Sequence, residues 1–222
     1  MYAGTTIRDG SGRFIGVHQK IDRVARRNIK PILPDWCDFP DIKNILHFEG
    51  KNGPDGVKRN SPAVDEPWHF INPDDPNDTA LLEMIDGHIG NLVEALRTNN
   101  SERAAFEAAW MAHAITDGLT PAHHFPLEQA MAELRGGEGL ETRTSILKKN
   151  LMKGDNGIEL IKNNWKFWGA KGMMTTHVAF EAGVASVVAY PRFKDAIPSD
   201  DEILQVKNHG YREYYLDQVH AV

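Results

Sequence analysis

Apolar residues recur at intervals of three and four through most of this chain, the spacing of helices that bury one face. Leu81, Leu82, Ile85, Ile89, Leu92, Val93 and Leu96 mark such a face and predict a helix over 78–96. Val17, Ile21, Val24 and Ala25 mark another, within a helix expected over 12–29. Further helices are expected over 101–118, 126–134, 141–152, 155–167, 172–189 and 200–219, with Asp78 and Ser101 as natural N-caps. No segment shows sustained period-two alternation between paired turn signals, so a sheet is not expected to organise the fold. The expectation is all-α: a single-domain helical bundle spanning 1–222.

The pattern fails between Gly50 and Asn77, where five of the twelve prolines gather with many Gly, Asn and Asp residues. Trp68, His69 and Phe70 lie inside this stretch, which favours an ordered loop folded over a site rather than a free one.

Composition narrows the partners. Lys and Arg number 25 against 31 for Asp and Glu, a formal charge of −6, which argues against a broad cationic surface for nucleic acid. Cys37 is the one cysteine, so no intrachain disulfide forms. No apolar run is long enough to span a bilayer. The start, MYAGTTIRDGSGRF, lacks the apolar core of a signal peptide. A cytoplasmic location is expected for the chain as written, or a secreted one if a leader has been removed.

The chemistry is concentrated in AHAITDGLTPAHH, residues 112–124. His113 and Asp117 stand at i and i+4 on one helix face, and His123 returns after Gly118 and Pro121 have ended the helix. Imidazole and carboxylate together suit zinc. The surrounding AAFEAAWMAHAI is mostly apolar, where unpaired polar groups would be costly, so a metal explains them better than a solvated face does. His177 and Glu181 repeat the i, i+4 pair on another apolar helix. His69 lies in a short apolar run, and His18 near a helix start. Each of these alone reads as structural; with the first cluster they read as ligands of a multinuclear centre.

These residues resemble the zinc-dependent phospholipase C and single-strand-specific zinc nuclease superfamily. Its central motif, H-x3-D-x3-P-x-H, is met by His113, Asp117, Pro121 and His123; the later H-x3-E pair by His177 and Glu181; the His-Phe step by His69 and Phe70; a preceding aspartate by Asp55; an N-terminal helix histidine by His18. The resemblance implies an all-α fold with two to three zinc ions in a cleft. Asp55, His69, His113 and Asp117 would hold the first, His123, His177 and Glu181 the second, and His18 with a bridging Asp117 would contribute to the third. It implies hydrolysis of phosphate esters, with Asp55 orienting or deprotonating the attacking water. Lys58 would face the scissile phosphate as a point charge, or be an ordinary loop lysine. Phe70 could stack on a base or close the core beneath His69.

Three departures bear on substrate. Secreted members complete the third zinc with an N-terminal tryptophan, whereas no tryptophan precedes Trp36 here; Asp22, one turn after His18, is a candidate substitute. Asn72 stands where the nucleases carry a base-reading aspartate, which alters the donor and acceptor pattern. Gly56 and Glu66 stand where the phospholipases place aromatic residues around choline, so no cation–π cage is evident. The favoured substrate is therefore a nucleotide or single-stranded nucleic acid. The alternatives are a phospholipase C acting on lipid head groups and a non-catalytic, zinc-stabilised binding module.

Overall fold

Helical periodicity becomes helix through most of the computed structural model, which describes residues 16–222. The helices are α1 (Val17–Ile29), α2 (Ile42–His47), α3 (Pro54–Asn60), α4 (Ala80–Arg97), α5 (Ser101–Gly118), α6 (Leu127–Leu134), α7 (Ile146–Asn150), α8 (Gly157–Trp168), α9 (Met173–Val188), α10 (Asp200–His209) and α11 (Tyr211–Ala221). Short 3-10 turns join several of them, and the described residues contain no β-strand. The all-α expectation holds.

The α4–α5 hairpin is the centre of the fold. Asn99, at φ 54°, ends α4 in the left-handed region that asparagine tolerates, and the Asn100 N–H returns to the Ala95 carbonyl at 2.8 Å. Asn100 then caps α5, its side chain accepting from the Arg103 N–H. Ala104, Ala105, Ala108 and Ala109 let α5 approach its neighbours closely, and with Ile45 and Leu92 they form one core. A second core joins Ile71, Leu81, Leu82, Ile85 and Ala114 to Tyr215 and Val219 of α11. A third, smaller one holds Met131, Met152 and Phe167. Because the first two cores clamp α5 along its length, the C-terminal turn carrying His113 and Asp117 is rigidly placed.

Several expectations are corrected. Of the first expected helix, residues 12–15 lie outside those described. Asp78 does not cap α4; the helix starts after Thr79, and Asp78 instead accepts the Asn72 N–H at 2.8 Å. Ser101 is the first residue of α5, and the cap is Asn100. The helix expected over 141–152 shortens to α7 behind a 3-10 turn, Leu140–Thr142. The long final helix is broken at Gly210, whose φ of 83° suits glycine alone among common residues. The supposedly irregular segment contains α3, because Pro54 sits at its first turn, where a missing N–H costs nothing.

Candidate metal centre

Five elements deliver the candidate ligands: α1 brings His18, α3 Asp55, the following loop His69, α5 with its 3-10 turn His113, Asp117 and His123, and α9 His177 and Glu181. Three groups of these side chains have ligand atoms close enough to share a cation: His18 with His113 and Asp117; Asp55 with His69 and His113; and His123 with His177 and Glu181. His113 belongs to two groups. The structure thus brings together all the residues singled out as ligands in the sequence.

Asp117 is the hub. Its Oδ2 lies 2.7 Å from His69 Nδ1 and 3.2 Å from His113 Nε2, and its Oδ1 lies 3.3 Å from His18 Nε2 and 3.4 Å from His123 Nδ1. Burial pushes the Asp117 carboxyl up, but the imidazoles of His123, His113 and His18 outweigh it and hold the group well below the usual carboxylate range. Asp55, facing the cleft from the N-terminus of α3, follows the same logic: burial opposes its ionisation, and His113, His69 and His18 more than compensate.

The histidines divide by environment. Burial and the Lys58 charge push His69 down to about 3, against the pull of Asp117. Burial takes His123 down to about 4. Both are therefore neutral at pH 7, the form that binds metal. His123 donates from Nδ1 to the His69 carbonyl at 2.8 Å, which leaves Nε2 as a bare lone pair. That lone pair faces Glu181 Oε1 at 3.1 Å, and His177 Nε2 converges on the same oxygen at 3.1 Å. The two rings stack, their centroids 4.9 Å apart. Burial opposes ionisation of Glu181, yet the contacts with His123 and His177 outweigh it and keep the carboxyl far below the ordinary range. A lone pair facing a carboxylate oxygen needs a positive species between them, either a proton or a metal.

His18 and His113 lie face to face, 3.7 Å between centroids and 6° from parallel. Behind them is a residue the sequence reading missed. Glu49 Oε1 lies 2.7 Å from His113 Nδ1, and the carboxylate is fully buried. It fixes the ring so that Nε2 points at Asp117, the arrangement by which an outer carboxylate orients a metal-binding histidine. Burial works against protonation of His113, yet Glu49 and Asp117 raise it well above the ordinary imidazole range. The only local hint was an acidic residue directly after Ile45, Leu46, His47 and Phe48.

Asp22 is in none of the three groups. It is buried beside Glu49, and burial with that second negative charge raises its carboxyl well above the normal value. His18 Nδ1, Asp22 Oδ2, Glu49 Oε2 and His69 Nε2 are buried without a hydrogen-bond partner among the described residues. Such clustering of orphaned acceptors and ring nitrogens is uncommon and costly unless a further species satisfies it.

The centre opens on a cleft of about 700 Å³ reached past Asp55, His123, His177 and Glu181. Lys58, Arg59, Arg143 and Lys149 bring positive charge to the lining and Glu66 and Glu128 negative charge. Leu127 and Met131 of α6 with Met174, Val178, Ala182 and Ala185 of α9 form an aliphatic wall, and Trp68, Phe167 and Trp168 add rings. Lys58 Nζ sits 5.0 Å above the Phe70 ring. Phe70 borders the cleft but is buried, packed against His123 at 5.1 Å, which is the core-closing role rather than a free stacking face. Asn72 does not line the cleft; its side chain accepts the Asp74 N–H in a turn. Gly56 packs onto the Lys51 carbonyl so tightly that any Cβ would overlap it, and Glu66 pairs with Lys149 at 3.2 Å. No aromatic cage can be built from these two positions.

No family model, curated protein or solved structure matches the chain.

Proposed function

We propose that this protein is a zinc-dependent phosphate ester hydrolase of the phospholipase C and zinc nuclease type. The observation that carries the reading is the convergence of His123 and His177, the first neutral with its Nε2 unprotonated, on one oxygen of Glu181, beside the Asp117 hub. The donor set, imidazole and carboxylate without cysteine, fits a catalytic zinc site better than a structural one. Asp55, His69, His113 and Asp117 would hold one ion, His123, His177 and Glu181 another, and His18 with Asp117 a third. Bound zinc supplies a Lewis acid that acidifies water and neutralises charge on a phosphoryl group.

The chain's own residues supply the rest. Asp55, ionised and open to the cleft, positions the attacking water and accepts its proton. The water oxygen bonds phosphorus, the ester P–O bond breaks, and the leaving oxygen takes a proton from solvent. Lys58 faces the same space and offsets charge building on the phosphoryl oxygens.

The aliphatic wall from α6 and α9 favours a phosphate ester with an apolar arm, a phospholipid, over the nucleotide or single-stranded nucleic acid that the sequence suggested. Phe70 is buried and Asn72 is engaged elsewhere, which removes the two residues proposed to hold a base. A nucleotide keeps one supporting feature, the Trp68 and Trp168 rings that line the cleft. The test is hydrolysis by the zinc-loaded protein of dispersed phospholipids with neutral and anionic head groups, single-stranded DNA, RNA and a 3′-nucleotide, each with and without chelator. Chelator-sensitive release of phosphorylated head group is expected. Cleavage of nucleic acid alone would restore the nucleotide reading, and no cleavage of any substrate would leave a zinc-stabilised binding module.

A further inference from the structure

Helix α8 wears its apolar stripe on the outside. Ile158, Ile161, Trp165 and Trp168 recur at intervals of three, four and three, the spacing of one helix face. The first three are 82%, 71% and 69% exposed, while Phe167 on the opposite side is buried in the third core. A stripe this regular, on a helix already anchored by its other face, is surplus to folding. The Trp168 indole donates to the Asn150 carbonyl at 2.7 Å, which brings exposed Leu147 and Leu151 alongside the stripe's C-terminal end. Trp168, Lys149 and Asn150 also line the cleft, so this surface runs up to its mouth.

Charge identifies what covers it. In a chain of net charge −6, the segment 146–171 carries six lysines against two acids, Asp155 and Glu159. Glu66 and Glu138 pair with Lys149 and Lys153, which leaves Lys148, Lys162, Lys166 and Lys171 to meet a partner. Lys162 and Lys166 fall on the helix edge next to the apolar stripe, where long stems can lie along hydrocarbon with the ammonium groups at a polar boundary. A second copy of the chain is a poor partner: a two-fold contact would set the cationic patch against itself. No helix among the described residues is long and apolar enough to cross a membrane. We infer that α8 and the end of α7 form an interfacial surface that adsorbs to anionic lipid bilayers, with the apolar stripe entering the headgroup boundary and the lysines meeting lipid phosphates. This surface does not depend on turnover, and a protein that hydrolyses nothing would still carry it.

The test is sedimentation of the full-length, zinc-loaded protein with vesicles of phosphatidylglycerol and phosphatidylcholine, and with phosphatidylcholine alone, at low and high salt. Tryptophan fluorescence is recorded in parallel. Binding to the anionic vesicles, weakened at least tenfold by high salt, with a blue-shifted emission, is expected. Ile161→Ser with Trp165→Ser should abolish both signals while leaving the melting temperature and zinc content unchanged, because both side chains are solvent-exposed. Lys162→Glu with Lys166→Glu should weaken binding to the anionic vesicles alone. No vesicle binding, or binding indifferent to the Ile161 and Trp165 changes, would overturn the inference. So would a concentration-dependent dimer that the Ile161 and Trp165 changes dissolve, since the stripe would then be an interface between copies.

Discussion

Glu49 and His113 are 64 positions apart in the chain, yet a buried carboxylate oxygen of one lies 2.7 Å from Nδ1 of the other. The pair links the short connection after α2 to the last turns of α5 and sets which ring nitrogen of His113 faces Asp117. Glu49→Gln keeps the size and one acceptor but removes the charge. It should lower metal affinity about 10–100-fold, the range found when outer partners of metal ligands are changed. Competition with a chelating dye measures this; an unchanged affinity would reduce Glu49 to a packing residue.

Asp117 should be far less forgiving. Four imidazoles lie within 3.4 Å of its two oxygens. Asp117→Asn should cost metal affinity more than the roughly 100-fold upper end for outer partners, with activity lost alongside. His209, exposed on α10, serves as the control, and His209→Ala should leave zinc content and activity intact. Equal effects from the two substitutions, read by elemental analysis and assay, would remove the central place given to Asp117.

The backbone beside Asp117 is held by a close contact with α11. A Cβ at Gly118 would overlap the Tyr215 hydroxyl and come within 2.9 Å of Leu81. The Tyr215 hydroxyl donates to the Ile115 carbonyl at 3.3 Å, so it is not free to swing away. Gly118→Ala should therefore destabilise the fold by about 1–3 kcal/mol through overpacking. Adding Tyr215→Phe should recover part of that loss, and thermal unfolding of the single and double variants decides it. Additive losses would show that α11 gives way elsewhere.

The legible and illegible parts of the chain differ for physical reasons. His113, Asp117, His177 and Glu181 were readable because i, i+4 spacing on an apolar helix is a local signal, and the fold keeps those helices intact. Glu49 was not, since its value comes from a partner on a distant element. Pro54, Gly53 and Gly56 read as helix breakers; in fact Gly53 precedes α3, Pro54 opens it, and Gly56 permits close packing on Lys51. Gly210 reversed the error, splitting what periodicity joined into one helix. Phe70 and Asn72 show the limit for substrate residues: position in a motif does not say whether a ring is buried or a carboxamide is committed to a turn. The aliphatic wall was hidden for a similar reason, because the lining of α6 and α9 becomes one surface only after folding.

The claim on which the rest stands is that imidazoles and carboxylates from α1, α3, α5 and α9, with His69 and His123 between them, hold metal. Anomalous diffraction at the zinc edge, from crystals of protein purified without chelator, tests it most directly. At least two peaks are expected, one among Asp55, His69, His113 and Asp117 and one among His123, His177 and Glu181. Zinc-supplemented crystals with no peak at either place, or with peaks only at surface histidines, would contradict it.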